Sequence, residues 1–146
     1  MKIASVLENQ KIEKRIAITP EIAKKYISIN FEVFLPQNYG IHLGIRDDEY
    51  KNIGVKILKD EKEILNNADI IVQLGILDKD KSSSLRENQI LIGVFNPYDN
   101  KDELDNIAKK NINIFSLELL PRITRAQSMD ILSSQSNLAG YKAVIE

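Results

Sequence analysis

Cysteine is absent from the 146-residue chain, which excludes disulfides and thiol chemistry and leaves nothing that points to an oxidising compartment. An excess of charge is missing too. Twenty basic residues against 21 acidic ones leave a formal charge of -1, so no electrostatic footprint exists for phosphate backbones or anionic lipid, and nucleic acid is not an expected partner. No apolar stretch approaches the roughly 18 residues that a membrane span needs, and the apolar run at the N-terminus reaches Glu8 too soon for a signal peptide. Membrane association is therefore expected only through a partner, and a cytoplasmic setting is the default. Glycine is sparse. Its six copies, at 40, 44, 54, 75, 93 and 140, contain no G-x-G-x-x-G spacing, so a complete dinucleotide site is not encoded. The single histidine, His42, lies in a glycine-flanked loop without the companions a metal would require, and reads as a solvated side chain.

What remains is a chain with 43% hydrophobic residues, enough for one buried core and too short for two. Apolar runs span Ile3 to Leu7, Phe31 to Leu35, Val55 to Leu58, Asp69 to Leu74, Gln89 to Phe95 and Ile112 to Leu117. Several are near-continuous, as in parallel strands covered on both faces. Amphipathic segments separate them. Thr19 before Pro20 predicts an N-cap with proline at the first helical position, followed by the stripe Ile22, Ala23, Tyr26 and Ile27. Asp99 is expected to cap a helix that turns Leu104, Ile107 and Ala108 inward. The alternation predicts a three-layer α/β/α fold with a mostly parallel sheet, flavodoxin-like or Rossmann-like, and right-handed crossovers. Ser128 to Glu146 reads as a helix with Leu138, Tyr141 and Ile145 on one side and a small polar stretch, Ser133, Ser134, Ser136 and Asn137, within it. With no stop signal after Gly140, that helix is expected to lead onward into a further domain.

The segment Pro121 to Asp130 follows the last strand, at the carboxyl edge where ligands bind in open α/β sheets, and is the richest in polar functional groups. Two readings of its residues stand side by side. Thr124 and Gln127 have the T-x-x-Q capping-box spacing, and Arg122 with Asp130 could form an ordinary surface ion pair. Alternatively, Gln127 offers both donor and acceptor to a ligand while Arg122 and Asp130 pair to fix the loop.

The stretch PRITRAQSMDILSSQSNLAGYKAV, residues 121 to 144, resembles the loop and following helix of the NAD-binding component of proton-translocating nicotinamide nucleotide transhydrogenases. Upstream, Glu13 to Glu21, Phe31-Glu32-Val33 and Asp47 to Tyr50 are similar to the N-terminal domain shared by alanine dehydrogenases and transhydrogenases. The resemblance implies that Arg122, Gln127 and Asp130 approach the nicotinamide end of NAD(H), with Ser133 beside them. It also implies that Arg15, a substrate-carboxylate ligand in alanine dehydrogenases, serves here in a structural ion pair. Those dehydrogenases use a lysine after the fourth strand and a histidine after the fifth, whereas this chain has Gln73-Leu74-Gly75-Ile76 and Phe95-Asn96-Pro97. Without an acid or base at those places, amino-acid oxidation is disfavoured.

By that resemblance, residues 1–127 form the N-terminal α/β domain and 128–146 begin the helix leading to a dinucleotide-binding domain. The implied activity is hydride transfer between NAD(H) here and NADP(H) on a partner component, coupled to proton movement through a membrane component. A homodimer peripheral to the inner membrane is the implied setting. Two other readings stay open: a non-catalytic fragment or assembly module, and an alanine dehydrogenase with a rearranged pocket.

Overall fold

Six short aliphatic segments form strands because their side chains on both faces of the ribbon can be buried. In the computed structural model, which describes residues 1–146, they are β1 (Lys2–Ala4), β2 (Glu32–Pro36), β3 (Lys56–Leu58), β4 (Ile70–Gln73), β5 (Ile90–Gly93) and β6 (Asn113–Ser116). All five pairings are parallel, in the order β3-β2-β1-β4-β5-β6. That is the Rossmann order, which reverses direction between β1 and β4. The expected mostly parallel sheet is thus wholly parallel, and the flavodoxin-like alternative is removed.

The helices are α1 (Pro20–Ser28), α2 (Asp47–Asn52), α3 (Glu61–Asn67), α4 (Lys79–Ser83), α5 (Lys101–Ala108) and α6 (Ile131–Ile145). As predicted, α1 starts at Thr19, whose hydroxyl accepts the Ile22 N–H, with proline in its first turn. Two expectations about α5 are corrected. Its N-cap is Asn100, which donates from Nδ2 to the Phe95 carbonyl, while the Asp99 carboxylate accepts from the Asn96 side chain. Leu104 and Ile107 face inward, but Ala108 is exposed, one step past the apolar stripe. No helix is long and apolar enough to cross a membrane.

The two faces of the sheet are covered unequally. On one face, Ala4, Ile71 and Leu91 pack with Ile64 and Leu65 of α3 and with Leu104 and Ile107 of α5, forming a core that reaches across the sheet. On the other, Ile3, Val33 and Leu35 pack with Ala23 of α1 and Tyr50 of α2. That second core extends to Ile70 and Val72 of β4 and stops there. Ile90 and Ile92 of β5 belong to neither core, and Phe115 of β6 is 55% exposed.

A buried polar network ties the second core to the end of β1. The Tyr39 hydroxyl accepts from the Ala17 and Ile18 N–H groups at 3.1 and 3.2 Å and donates to Ser5 Oγ at 2.7 Å. Ser5 in turn donates to Gln73 Oε1, and Tyr50 donates to the Ile18 carbonyl. Burial pushes the Tyr39 phenol up to about 12 and raises Tyr50 as well. Each tyrosine therefore keeps its proton in the fold at a pH where the unfolded chain, titrating near 10, gives it up. Stability is fully present below about pH 10 and declines as pH rises toward 12, by up to about 1.4 kcal/mol per pH unit for each tyrosine. Urea midpoints measured from pH 8 to 12 should be flat and then fall. Tyr39→Phe, though less stable overall, should show a shallower fall.

Candidate functional site

Past β6 the chain makes a 3-10 turn at Leu117–Leu119, runs through Pro121, and makes a second such turn at Gln127–Met129 before entering α6. The loop is built on its own backbone: the N–H groups of Ala126 and Gln127 both donate to the Ile123 carbonyl, at 2.9 and 3.1 Å. Ala126, 5% exposed, is its one buried side chain and anchors it. Arg122 and Gln127 are exposed and bind no other side chain.

α6 is started by Asp130. Its Oδ1 accepts the Leu132 and Ser133 N–H groups at 3.0 and 3.1 Å, and its Oδ2 accepts the Ser133 hydroxyl at 2.7 Å. The capping box expected from Thr124 and Gln127 does not form, because the backbone there is still in the 3-10 turn and the helix begins three residues later than the expected Ser128. The expected Arg122–Asp130 pair does not form either. Asp130 is committed to the helix start, and Arg122 acts on it only at longer range. The Ser133 hydroxyl, the Ser133 and Leu132 N–H groups and, last, Arg122 hold the Asp130 carboxyl below its ordinary range.

Arg122, Gln127, Asp130 and Ser133 nevertheless line a single cleft of about 590 Å³, closed on one side by Leu117, Glu118 and Leu120 and on another by α6. Four residues spread over twelve positions of sequence thus converge on one concavity. Glu118, to which no sequence pattern draws notice, belongs to the same wall. Its Oε1 accepts the Asn96 N–H, while its Oε2 and the nearby Ser116 Oγ are buried without a hydrogen-bond partner. The signal that could have found Glu118 is a carboxylate placed among leucines immediately beyond the last strand.

The crevice between β1 and β4, the other place where this fold admits ligands, is filled by the chain itself. Glu8 Oε1 accepts the Leu74 N–H at 2.6 Å and the Gly75 N–H at 3.3 Å, and burial raises the Glu8 carboxyl despite those bonds. Arg15 forms an ion pair with Glu13 at 2.6 Å, in keeping with the structural reading. His42 is more than a solvated ring. With Nε2 donating to the Lys14 carbonyl at 2.7 Å and Nδ1 accepting from Gln10 Nε2 at 3.2 Å, it staples its loop to the segment after β1.

Gln73 ends β4. It is 2% exposed and engaged on both sides of its amide: Oε1 accepts from Ser5 Oγ and Val6 N–H, and Nε2 donates to the Val6 carbonyl. Neither end is available to a substrate.

Comparison with known proteins shows the family of the chain. The chain is 43% identical, over its whole length, to the first of the pieces that make up the NAD(P) transhydrogenase alpha subunit of Rickettsia prowazekii, and 39% identical to the corresponding protein of Rhodospirillum rubrum. It spans 39% of the length of each of these relatives. The crystal structure of transhydrogenase from Sinorhizobium meliloti superposes with a TM-score of 0.91 at 35% identity, covering 99% of this chain and 43% of that one. Residues 6–139, which take in β2 to β6 and the polar cleft, match the family described as alanine dehydrogenase/PNT, N-terminal domain, and the chain belongs to this family.

Proposed function

We propose that this chain is the leading portion of the NAD(H)-binding component of a proton-translocating NAD(P) transhydrogenase, and that the cleft after β6 receives the nicotinamide end of the coenzyme. The observation that carries this reading is the convergence of Arg122, Gln127, Asp130 and Ser133 on one cleft, with Arg122 and Gln127 free to bind.

The donor set fits such a ligand. Gln127 presents an N–H₂ and a carbonyl oxygen, a match for a carboxamide or a ribose hydroxyl, and Arg122 brings a permanent cation. No glycine-rich turn is present for a pyrophosphate. The remainder of the coenzyme therefore belongs on a dinucleotide-binding domain that follows residues 128–146, with 1–127 as the α/β domain. When bound, NAD(H) supplies the hydride chemistry, and NADP(H) on a partner component is the other party.

The chain's own contribution is positional. Gln127 and Arg122 hold the ring end in one orientation; Asp130 fixes the first turn of α6 and with it Ser133. None of them gains or loses a proton. Alignment of two reactants is worth several kcal/mol of a barrier, which is enough for a residue that never reacts to matter. The same reading includes a homodimer, a membrane component through which protons move, and a peripheral place on that membrane.

The test uses the component extended to the length of its relatives and reconstituted with its NADP-binding partner. Gln127→Ala and Arg122→Ala should each lower transhydrogenation about 10- to 100-fold and weaken NADH binding by a smaller factor. Residues 1–146 alone should bind NADH far more weakly than the extended protein. Tight binding by the short chain would overturn the division of the site, and unchanged rates in both variants would overturn the role of the loop. Pyruvate-dependent NADH oxidation by the extended protein would instead favour an alanine dehydrogenase.

A further inference from the structure

The lining of the cleft after β6 holds two carboxylates, Glu118 and Asp130, and one cation, Arg122, and their bonding capacity is used unequally. Asp130 already accepts from three donors at the start of α6. Glu118 does not match it. Its Oε1 accepts the Asn96 N–H, while its Oε2 is buried without a donor. A carboxylate offers about four acceptor positions, and an ionised oxygen shut away from water with none of its positions filled is unfavourable. Arg122, four residues further on, has the converse excess. Its guanidinium presents five N–H donors, is exposed, and enters none of the ion pairs of the molecule. The Ser116 hydroxyl, also buried without a partner, is not part of the lining, so on the ligand's side of the wall Arg122 is the cation left to serve Glu118.

Resting on the reading that this cleft takes the nicotinamide end of the coenzyme, we infer that Glu118 is the positioning residue for Arg122. With a ligand in the cleft, the guanidinium lies between a ligand oxygen and the Glu118 carboxylate, and the carboxylate sets its direction. A planar fork of N–H groups can serve both at once. Entry of the ligand displaces water from around the two charges, and their attraction rises as the local dielectric falls. The anchor is itself held. Glu118 is tied through the Asn96 N–H to the loop after β5, where Asn96 has a φ of 45° and donates from its side chain to Asp99. The carboxylate therefore cannot follow the arginine outward, and the pair forms with the arginine drawn inward. No proton moves; Glu118 acts only through the arginine.

A double-mutant cycle in the extended protein, with its NADP-binding partner, tests this pairing. It is read in NADH affinity, in transhydrogenation and in the motion of the Arg122 Nε–H followed by nitrogen relaxation. Glu118→Gln is the informative change, because it keeps an acceptor for the Asn96 N–H and removes the charge. Alone it should weaken NADH binding about 3-fold and lower transhydrogenation about 10-fold; added to Arg122→Ala it should change neither by more than about 2-fold. NADH should immobilise the Arg122 Nε–H in the parent and leave it mobile in Glu118→Gln. Glu118→Asp, which keeps the charge but withdraws it by one methylene, enters the same cycle in case the glutamine variant folds poorly. Effects at 118 and 122 that simply multiply would overturn the inference and leave Glu118 as a clasp on Asn96 alone. So would an Arg122 that NADH immobilises equally with and without the Glu118 charge. Either failure still leaves Arg122 acting on the coenzyme, so the proposed function survives it. A fully active Arg122→Ala would overturn the inference together with the part given to Arg122 in that function.

Discussion

Replacing Gly93 with alanine will cost this protein about 3 kcal/mol or more, among the largest effects a single methyl group can have on a folded domain. Gly93 ends β5 in register with Gln73 of β4. A Cβ built there lies 2.2 Å from the Gln73 carbonyl oxygen and 2.6 Å from two ring carbons of Phe95, which is 1% exposed. Neither obstacle is the free end of a flexible side chain. The carbonyl belongs to the pairing of β4 with β5, and the ring is locked in the larger core, so the strands must part or the ring must leave its place. Against a total stability of about 5–15 kcal/mol, a midpoint of thermal unfolding lower by about 10 °C is expected. Gly140→Ala is the control with the opposite sign. Nothing lies within 4 Å of its added Cβ, and inside a helix alanine is favoured over glycine by about 1 kcal/mol. Thermal melts of the two variants beside the parent settle the matter: equal melting of Gly93→Ala and the parent would mean that the two strands can yield.

Gln73→Leu should have an effect of the same size. The substitution preserves bulk and removes the only side-chain partner of both the Val6 N–H and the Val6 carbonyl, which lie just past the end of β1. Two buried backbone groups without partners cost about 1–3 kcal/mol each. Ser5 loses an acceptor as well, so the Tyr39 hydroxyl network is loosened from one end. The expected result is a drop of about 3–5 kcal/mol in urea unfolding, much larger than the change for a leucine introduced at an exposed position. Gln73→Glu should do better than leucine at the Val6 N–H and fail at the Val6 carbonyl, since a carboxylate has no proton to donate. A leucine variant as stable as the parent would show that water takes over both groups.

The same residue marks the boundary of what can be read from sequence. The absence of a lysine after the fourth strand is plain in the letters. That the glutamine found there is a structural clasp is not plain, because its partners at Ser5 and Val6 are more than 65 positions away. Strand positions are legible since continuous aliphatic runs have few other uses, and the start of α1 is legible because Thr19 and Pro20 are adjacent signals. Strand order is not, since pairing is decided between segments rather than within them. The two misplaced caps have a common cause. Asp99 and Asn100 are neighbours with similar chemistry, and Thr124 and Asp130 both satisfy a local rule, so the winner is chosen by the backbone path and not by the side chain. Glu8 shows the same limit from the other side. In sequence it merely ends an apolar run; in the fold it fills the crevice between β1 and β4, because the Leu74 and Gly75 N–H groups point there. The four cleft residues are legible only through resemblance to a family. Their convergence is a matter of geometry, set by two 3-10 turns that no spacing rule announces.

One carboxylate, that of Asp130, grips three groups of the first helical turn and forms part of the cleft wall at the same time. The 15-residue rod of α6 cannot swivel about its base without tearing one of those bonds or carrying Ser133 away from Arg122 and Gln127. A tilt of a few degrees along that rod therefore becomes a change in the width of the opening at its root.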